Sequence, residues 1–446
     1  MNYNLLLDCG ARQSQDVFDD YKHNVSAIKS IKAKKIDYIV VAHCHQDHIG
    51  LIPALYRNGC QAHIYMPAHC KQLVSIMWKD SAKILESDTE KIKRKYGAKA
   101  SPYFDLDDIE KALDRIIEVD IGTEVILNDN LSFKYYHANH IVNSAQILVK
   151  CNDGINTKKI LYTSDLGSTQ YDNYYCENFE KVDYAKVVIT ESTYATDTRS
   201  NKKKDRPKDI EKIKAIVSHI KESKGKMIIP VFSLNRTQDV LTLLYETFHD
   251  DKDFNLDVVV DAVLGNKINS MWEDIITKNK ELWDNVWSWS RVVKVTDWQE
   301  SQDWQSKDKP MIVLASGGFI SGGRVIPWAK TCLPSSKNYF CFVGYGGGTN
   351  STVYQIKNSK QFPVVNIDGE KVRNNAQITV LNSFSSHIDN NGMLDYYSDI
   401  NCEKIYLAHG DMDRKINFAP MLKESISKKN KTTKVLVANK DTKIFF

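Results

Sequence analysis

Tyr38-Ile39-Val40-Val41-Ala42-His43-Cys44-His45-Gln46-Asp47-His48 is the stretch on which the reading of this chain turns. Residues 38–42 are apolar and rich in β-branched side chains, which suits a buried strand. Three histidines and an aspartate then fall within six positions. Side chains alternate on an extended backbone, so His43 and His45 share a side. Asp47-His48, just ahead of the apolar residues 49–55, can supply a second set of ligands. Two metal ions are implied. A polar turn after a strand is the ordinary alternative, but this four-residue pattern should arise by chance in on the order of one chain in a thousand.

The bulk numbers bound the rest. A chain of 446 residues suits two domains, or one domain with a large insertion. The net charge of +4, with 26% charged residues, means that a polyanionic substrate must be gripped by a local basic surface. Charge alone neither requires nor excludes nucleic acid. The nine cysteines are odd in number and never spaced C-x-x-C, which fits reduced thiols in a cytoplasmic protein without a disulfide framework or Cys-ligated zinc. Met1-Asn2-Tyr3-Asn4-Leu5-Leu6-Leu7-Asp8 has neither the charged start nor the long apolar stretch of a leader. No apolar run approaches the roughly 20 residues of a membrane span, so a soluble protein is expected.

His43-x-His45-x-Asp47-His48 after a hydrophobic strand resembles the signature of the metallo-β-lactamase-fold hydrolases. Leu5-Leu6-Leu7-Asp8-Cys9-Gly10 resembles that family's strand whose terminal aspartate orients the metal loop, with an ordinary turn aspartate as the alternative for Asp8. The strand pair that usually lies upstream is missing from this sequence, so one edge of the first sheet should be shortened or supplied otherwise. Residues 72–118 carry helical spacing, with a capped helix start at Asp105. The Lys-rich residues 90–99 read as a solvated face, or as a nucleic-acid contact. Tyr135-Tyr136-His137-Ala138-Asn139-His140 resembles the family's Ala-Gly-His motif, with His140 at the ligand position and His137 as a plain strand-end residue. Asn139 stands where the family has Gly, so the loop backbone should differ. The buried strand Ile160-Leu161-Tyr162-Thr163-Ser164-Asp165 ends where this fold puts a carboxylate that bridges two metals.

Glu191-Ser192-Thr193-Tyr194 resembles one branch of the family, the β-CASP nucleases. After it, Ser200-Asn201-Lys202-Lys203-Lys204-Asp205-Arg206-Pro207 reads as a polar linker. Helix and strand patterns then alternate, implying a mostly parallel sheet flanked by helices. Arg236 follows the strand-like Lys226-Met227-Ile228-Ile229-Pro230-Val231. The loops Ser316–Gly323 and Gly344–Thr349 sit at strand ends, where glycine lets backbone N–H groups approach phosphate. Ser316, Gly317, Gly348, Thr349 and Arg236 are the phosphate-binding candidates, although Gly317 replaces a usual Ser and the second loop is short. Trp272, Trp283, Trp287, Trp289, Trp298 and Trp304 read as core or lid packing, with stacking on unpaired bases as the alternative for some. Ser383-Phe384-Ser385-Ser386-His387-Ile388-Asp389 and Ala408-His409-Gly410-Asp411 resemble the branch's last two motifs.

The resemblance implies an α/β fold: an αββα metallo-β-lactamase sandwich over residues 1–195 and 366–446, with a β-CASP domain inserted at 196–365. By resemblance, His43, His45, His140 and Asp165 hold one Zn²⁺, and Asp47, His48, Asp165 and His409 the other, with Mn²⁺ as the alternative metal. The metals would activate a shared water, with Asp47, Glu191 and His387 as catalytic residues and the last two as an acid dyad. The expected activity is hydrolysis of single-stranded RNA, leaving 5′-phosphate and 3′-hydroxyl ends. His409 favours RNA, because DNA-repair members of the branch tend to carry an apolar residue there. A DNA nuclease, a partner-binding scaffold without chemistry and a small-molecule hydrolase are the alternatives, and a homodimer is compatible with the family.

Overall fold

The computed structural model describes residues 3–444 except 15, 98, 153, 170–172, 198–201 and 345, and leaves the side chains of 202–204 undescribed. Ser200 and Asn201 of the expected linker and Tyr345 of the second glycine loop thus lie outside the described residues. The chain forms two compact units: residues 1–199, 275–278 and 386–446 make the first, and residues 200–274 and 279–385 the second.

The first unit is built on two sheets. One has four parallel strands in the order Leu5–Leu7, Tyr38–Val40, His63–Pro67, Ile116–Val119. Residues 116–118 therefore leave the expected helical stretch: the helices Lys71–Tyr96 and Leu106–Leu113 end before them, and a β-branched Ile-Ile-Glu-Val run pairs with the sheet instead. Asp105 caps the second helix through a full capping box with Asp108, as its sequence suggests. Leu5–Leu7 stands at the sheet edge, paired on one side only.

The other sheet has seven strands, ordered Lys434–Val437, Lys404–Leu407, Val187–Thr190, Thr157–Tyr162, Ala145–Asn152, Leu131–His137, Glu124–Asn128. The first four run parallel and the rest alternate. Val40, Ala42 and Val119 of the first sheet pack against Phe133, Tyr135, Ile147 and Val149 of the second, so the core between the sheets is continuous. On the outer face of the seven-stranded sheet, Leu161, Val188 and Ile405 meet Met393, Tyr396 and Tyr397 of helix Asn390–Asp399 and Phe418 and Leu422 of helix Met412–Lys428. Trp78, fully buried in helix Lys71–Tyr96, donates its indole N–H to Ile49 O at 3.1 Å beside the first sheet. Layers of helix, sheet, sheet and helix result, as the resemblance implies.

The second unit carries a six-stranded, wholly parallel sheet ordered Val292–Lys294, Asp257–Asp261, Met311–Ser316, Lys226–Val231, Tyr339–Phe342, Gln377–Val380. Two expectations are corrected here. The last strand pairs in parallel with Tyr339–Phe342, so the inserted unit runs to Ser385 instead of ending at 365. Its apolar alternation serves the inserted sheet, and alternation cannot say which sheet a strand joins. The basic stretch after Tyr194 is also more than a linker, since helix Lys202–Ser223 starts within it. Pro207 lies in the second turn of that helix, near the end where a missing N–H costs least.

Candidate metal centre

The centre is assembled at the C-terminal ends of strands in the first unit. Val40, Val41 and Ala42 are fully buried, which fixes the chain just before His43. The chain then turns into a short helix, Gln46–Ile49, carrying Asp47 and His48. Gly10 allows this turn to come close, because a Cβ there would lie 1.5 Å from Asp47 O. Gly167 does the same behind His140, where a Cβ would lie 1.6 Å from Asn139 O. Asn139 takes the left-handed backbone (φ 54°) at the position where glycine was expected, which asparagine tolerates better than most residues.

Two ligand groups share one carboxylate. In the first, His43, His45, His140 and Asp165 each bring one ligand atom within 4.8 Å of the others, and in the second Asp47, His48, Asp165 and His409 do the same. His43 Nε2 and His140 Nε2 each stand 3.2 Å from His45 Nδ1, and 3.8 and 3.6 Å from Asp165 Oδ2. Asp165 Oδ1 faces the other way, 3.4 Å from His48 Nε2 and 3.0 Å from His409 Nδ1. Asp47 Oδ2 lies 3.5 Å from His409 Nε2 and 3.9 Å from His48 Nε2. Ligands about 2.0–2.2 Å from a tetrahedral Zn²⁺ stand roughly 3.3–3.6 Å apart, so both groups are close to the size of such a shell.

The surrounding chemistry fits a cation as well. His48 Nε2 and Asp165 Oδ1 are buried and take no hydrogen bond, a costly state that a bound metal would relieve. Burial pushes His45 down to about 4 and holds His43 and His140 well below the usual histidine range, so these three offer neutral imidazoles. Around the second group burial also opposes charge, yet Asp165, Asp8 and Asp47 hold His48 well above its ordinary value. Asp165 and Asp47 likewise lift His409 to about 9. Without a metal, protons on these imidazoles answer the carboxylates, so this pocket favours positive charge.

Asp8 is the pivot behind the ligands, at φ 56° and 8% exposed. Its Oδ1 accepts from Ala42 N at 2.8 Å, while Oδ2 lies 2.7 Å from His48 Nδ1 and accepts from Tyr162 OH at 2.9 Å. That contact occupies Nδ1 and leaves His48 Nε2 for the metal side. His140 Nδ1 is held in the same manner by Ser386 O at 3.1 Å. Tyr162 and Ser164 received no role from the sequence. Ser164 Oγ lies 3.4 Å from Asp8 Oδ2, His43 Nδ1 and His48 Nδ1, and its φ of 51° is the strain that turns the strand end toward Asp165. Nothing in their spacing marked them beforehand.

Glu191 and His387 meet beside the first group. His387 Nδ1 is 3.0 and 3.2 Å from the two carboxylate oxygens, and Glu191, 1% exposed, also accepts from Leu166 N at 2.5 Å. Burial opposes protonation of His387, but the Glu191 charge and hydrogen bond overcome it and raise its pKa. His137 ends its strand and joins neither ligand group. Ser316, Gly317, Gly348, Thr349 and Arg236 all belong to the second unit. Within it Arg236 opens helix Arg236–Phe248 and lies against the second glycine loop, where a Cβ on Gly344 would be 3.9 Å from its Nε and Nη2.

Three family profiles match along the chain. One described as Anti-Pycsar protein Apyc1 matches residues 1–202, one described as Beta-Casp domain matches 237–351, and one described as Zn-dependent metallo-hydrolase RNA specificity domain matches 371–436. Among similar proteins, transcription termination factor FttA of Methanococcus maripaludis is 26% identical over 442 residues, covering 96% of this chain and 66% of that protein. Ribonuclease TTHA0252 of Thermus thermophilus is 24% identical over 432 residues, 94% of this chain and 90% of its own. An Integrator complex subunit 11 homolog of Dictyostelium discoideum is 26% identical over 435 residues, 93% and 55% of the two chains. The chain thus spans about two thirds of the length of the archaeal termination factors it matches. With a sandwich that carries two histidine–aspartate groups joined by Asp165, a parallel-sheet insertion and profiles that follow one another in this order, the chain is similar to the β-CASP family of metallo-β-lactamase-fold hydrolases in its domains and in their order.

Proposed function

We propose that this protein is a zinc-dependent ribonuclease that hydrolyses phosphodiester bonds of single-stranded RNA and leaves 5′-phosphate and 3′-hydroxyl ends. The observation that carries the reading is Asp165, which turns one oxygen to each of two ligand groups, beside the Glu191–His387 pair. Relatives named ribonuclease, together with the profile for an RNA specificity domain, support RNA as the substrate. Two dications, when bound, supply a water of lowered pKa and neutralise charge on a phosphoryl group.

The chain's own residues do the remainder. His43, His45 and His140 stay neutral and, with Asp165, would hold one metal position, while Asp47, His48 and His409, again with Asp165, would hold the other. Asp8 and Ser386 O occupy the outward nitrogens of His48 and His140, so the ligating atoms are preset. Glu191 engages Nδ1 of His387 and keeps the imidazole protonated, leaving Nε2 to give a proton to the departing 3′ oxygen. Nine free cysteines, eight of them buried, are consistent with a reducing cytoplasm. Among the described residues no helix is long and apolar enough to cross a membrane.

The test is incubation of the metal-analysed protein with end-labelled single-stranded RNA and DNA of one sequence, with product ends mapped. Faster cleavage of RNA, 5′-phosphate products and about two zinc ions per chain are expected. Equal or faster DNA cleavage would overturn the choice of RNA, and no turnover with any added divalent metal would overturn the enzyme.

A further inference from the structure

All eight tryptophans lie among the described residues, and Trp298 is the only one in the exposed class, at 51%. Trp78, Trp272, Trp283 and Trp328 are fully buried. Half an indole left in water gives up burial that the other tryptophans obtain, so its position calls for a reason.

That position is specific. In the inserted sheet Asp257–Asp261 lies between Val292–Lys294 and Met311–Ser316, and all three run parallel. Trp298 opens helix Trp298–Ser306 after the first neighbour, and Arg324 ends the glycine loop after the second. Both residues therefore stand beyond the carboxyl ends of the two parallel strands that flank Asp257–Asp261, the edge where open α/β sheets receive ligands. They also touch, since the Arg324 guanidinium carbon is 4.9 Å from the Trp298 ring centre. Arg324 is anchored from behind by Asp261, fully buried, whose Oδ1 lies 3.8 Å from Arg324 Nε. Asp261 is itself fixed by Ser301 Oγ at 2.5 Å and Trp328 Nε1 at 2.8 Å, both donating to Oδ2. Among the described residues Arg324 Nη1 is buried and without a hydrogen-bond partner. The acids nearest in sequence are spent on the helix start: Asp297 accepts from Glu300 N, and Glu300 accepts from Thr296 N and Oγ1.

We infer that Trp298 and Arg324 form a nucleotide subsite for single-stranded RNA, with a base stacked on the open indole face and a backbone phosphate on the guanidinium. The inference rests on the ribonuclease reading and extends it to a residue pair outside the metal centre. Stacking of this kind accepts any base, because every base has a π face. It also places a phosphate beside the Ser316–Gly323 loop, whose Gly317 (φ 116°) and Gly323 (φ 84°) take backbone conformations that other residues rarely adopt. A protein partner is the less favoured occupant. Protein hot spots sit in an apolar, water-excluding surround, and Trp298 is flanked on its helix by Asp297, Gln299, Glu300, Gln302 and Asp303.

The test measures binding of a single-stranded RNA dodecamer by the metal-loaded protein, with His387→Ala in every sample to stop turnover. Trp298→Ala should weaken binding about 5- to 100-fold, and Trp298→Phe less, as expected for one lost stacking partner. A matched oligomer with all of its bases removed should bind the parent weakly and should not discriminate parent from Trp298→Ala. Arg324→Lys keeps the charge and should preserve most of the salt dependence. Equal binding of the intact RNA by parent and Trp298→Ala overturns the subsite and leaves the ribonuclease reading standing. So does an equal loss on the base-free oligomer, which would make Trp298 a structural residue. Failure of the parent itself to bind RNA overturns both.

Discussion

His387 is the residue at which charge, geometry and chemistry are most tightly joined. Its Nδ1 is engaged by Glu191, and that contact raises its pKa against the pull of burial. His387→Ala should keep its metals but cleave about 10²–10⁴-fold more slowly, the usual span for a lost general acid. Zinc analysis beside initial rates checks this, and loss of metal would make His387 a ligand instead. The pH profile carries the sign. An acid with a raised pKa is present in its protonated form below that value and is lost as pH rises through it. Glu191→Gln removes the raising charge, so the alkaline limb of the rate profile should move to lower pH, whereas an unmoved limb would separate the pair from the proton transfer. The sequence brought the histidine–aspartate run forward by its spacing, and Glu191 and His387 only through the resemblance of their motifs. Tyr162 and Ser164 were not legible there, since a hydroxyl bonded to a buried carboxylate leaves no pattern along the chain.

At the scale of elements, the turn after the central strand depends on what packs behind it. Gly10 faces Asp47 O at a distance that admits no side chain. Gly10→Ala should therefore displace the short helix Gln46–Ile49, cost about 1–3 kcal/mol or more, and lower the zinc content. Thermal melting and metal analysis in parallel would show it, and a variant with parental melting and full zinc would mean that the loop adapts freely. The strands flanking the motifs could be read from runs of Val, Ile and Leu ending at acids or histidines. Strand Gln377–Val380 was placed in the wrong sheet, because its pattern states only that it is part-buried and its partner, Tyr339–Phe342, lies far off in sequence. The helix from Lys202 was hidden for another reason. Its opening turns are Lys, Asp, Arg and Pro, whose composition is that of a solvated linker.

For the whole molecule, both ligand groups and the Glu191–His387 pair belong to the first unit alone. Metal binding should then stabilise that unit and leave the other untouched. Calorimetry with and without a chelator should show one transition falling and one holding its temperature; binding at a thousandfold excess over the dissociation constant is worth about 4 kcal/mol. Two transitions that fall together would instead make the units a single cooperative body.

The discontinuity of the first unit also bears on its synthesis. Val187–Thr190 pairs with Lys404–Leu407, which in turn pairs with Lys434–Val437, so the sheet that carries the two ligand groups is completed by strands lying beyond the inserted unit in sequence. His387 and His409 arrive with them, after the whole of the inserted unit. Domains tend to fold as units while the chain is emerging, so the inserted unit can form on the ribosome while the sandwich still waits for its final strands. Copies made only as far as the inserted unit thus lack both His387 and His409. On the ribonuclease reading, the protein would be unable to attack its own message until translation has passed His409.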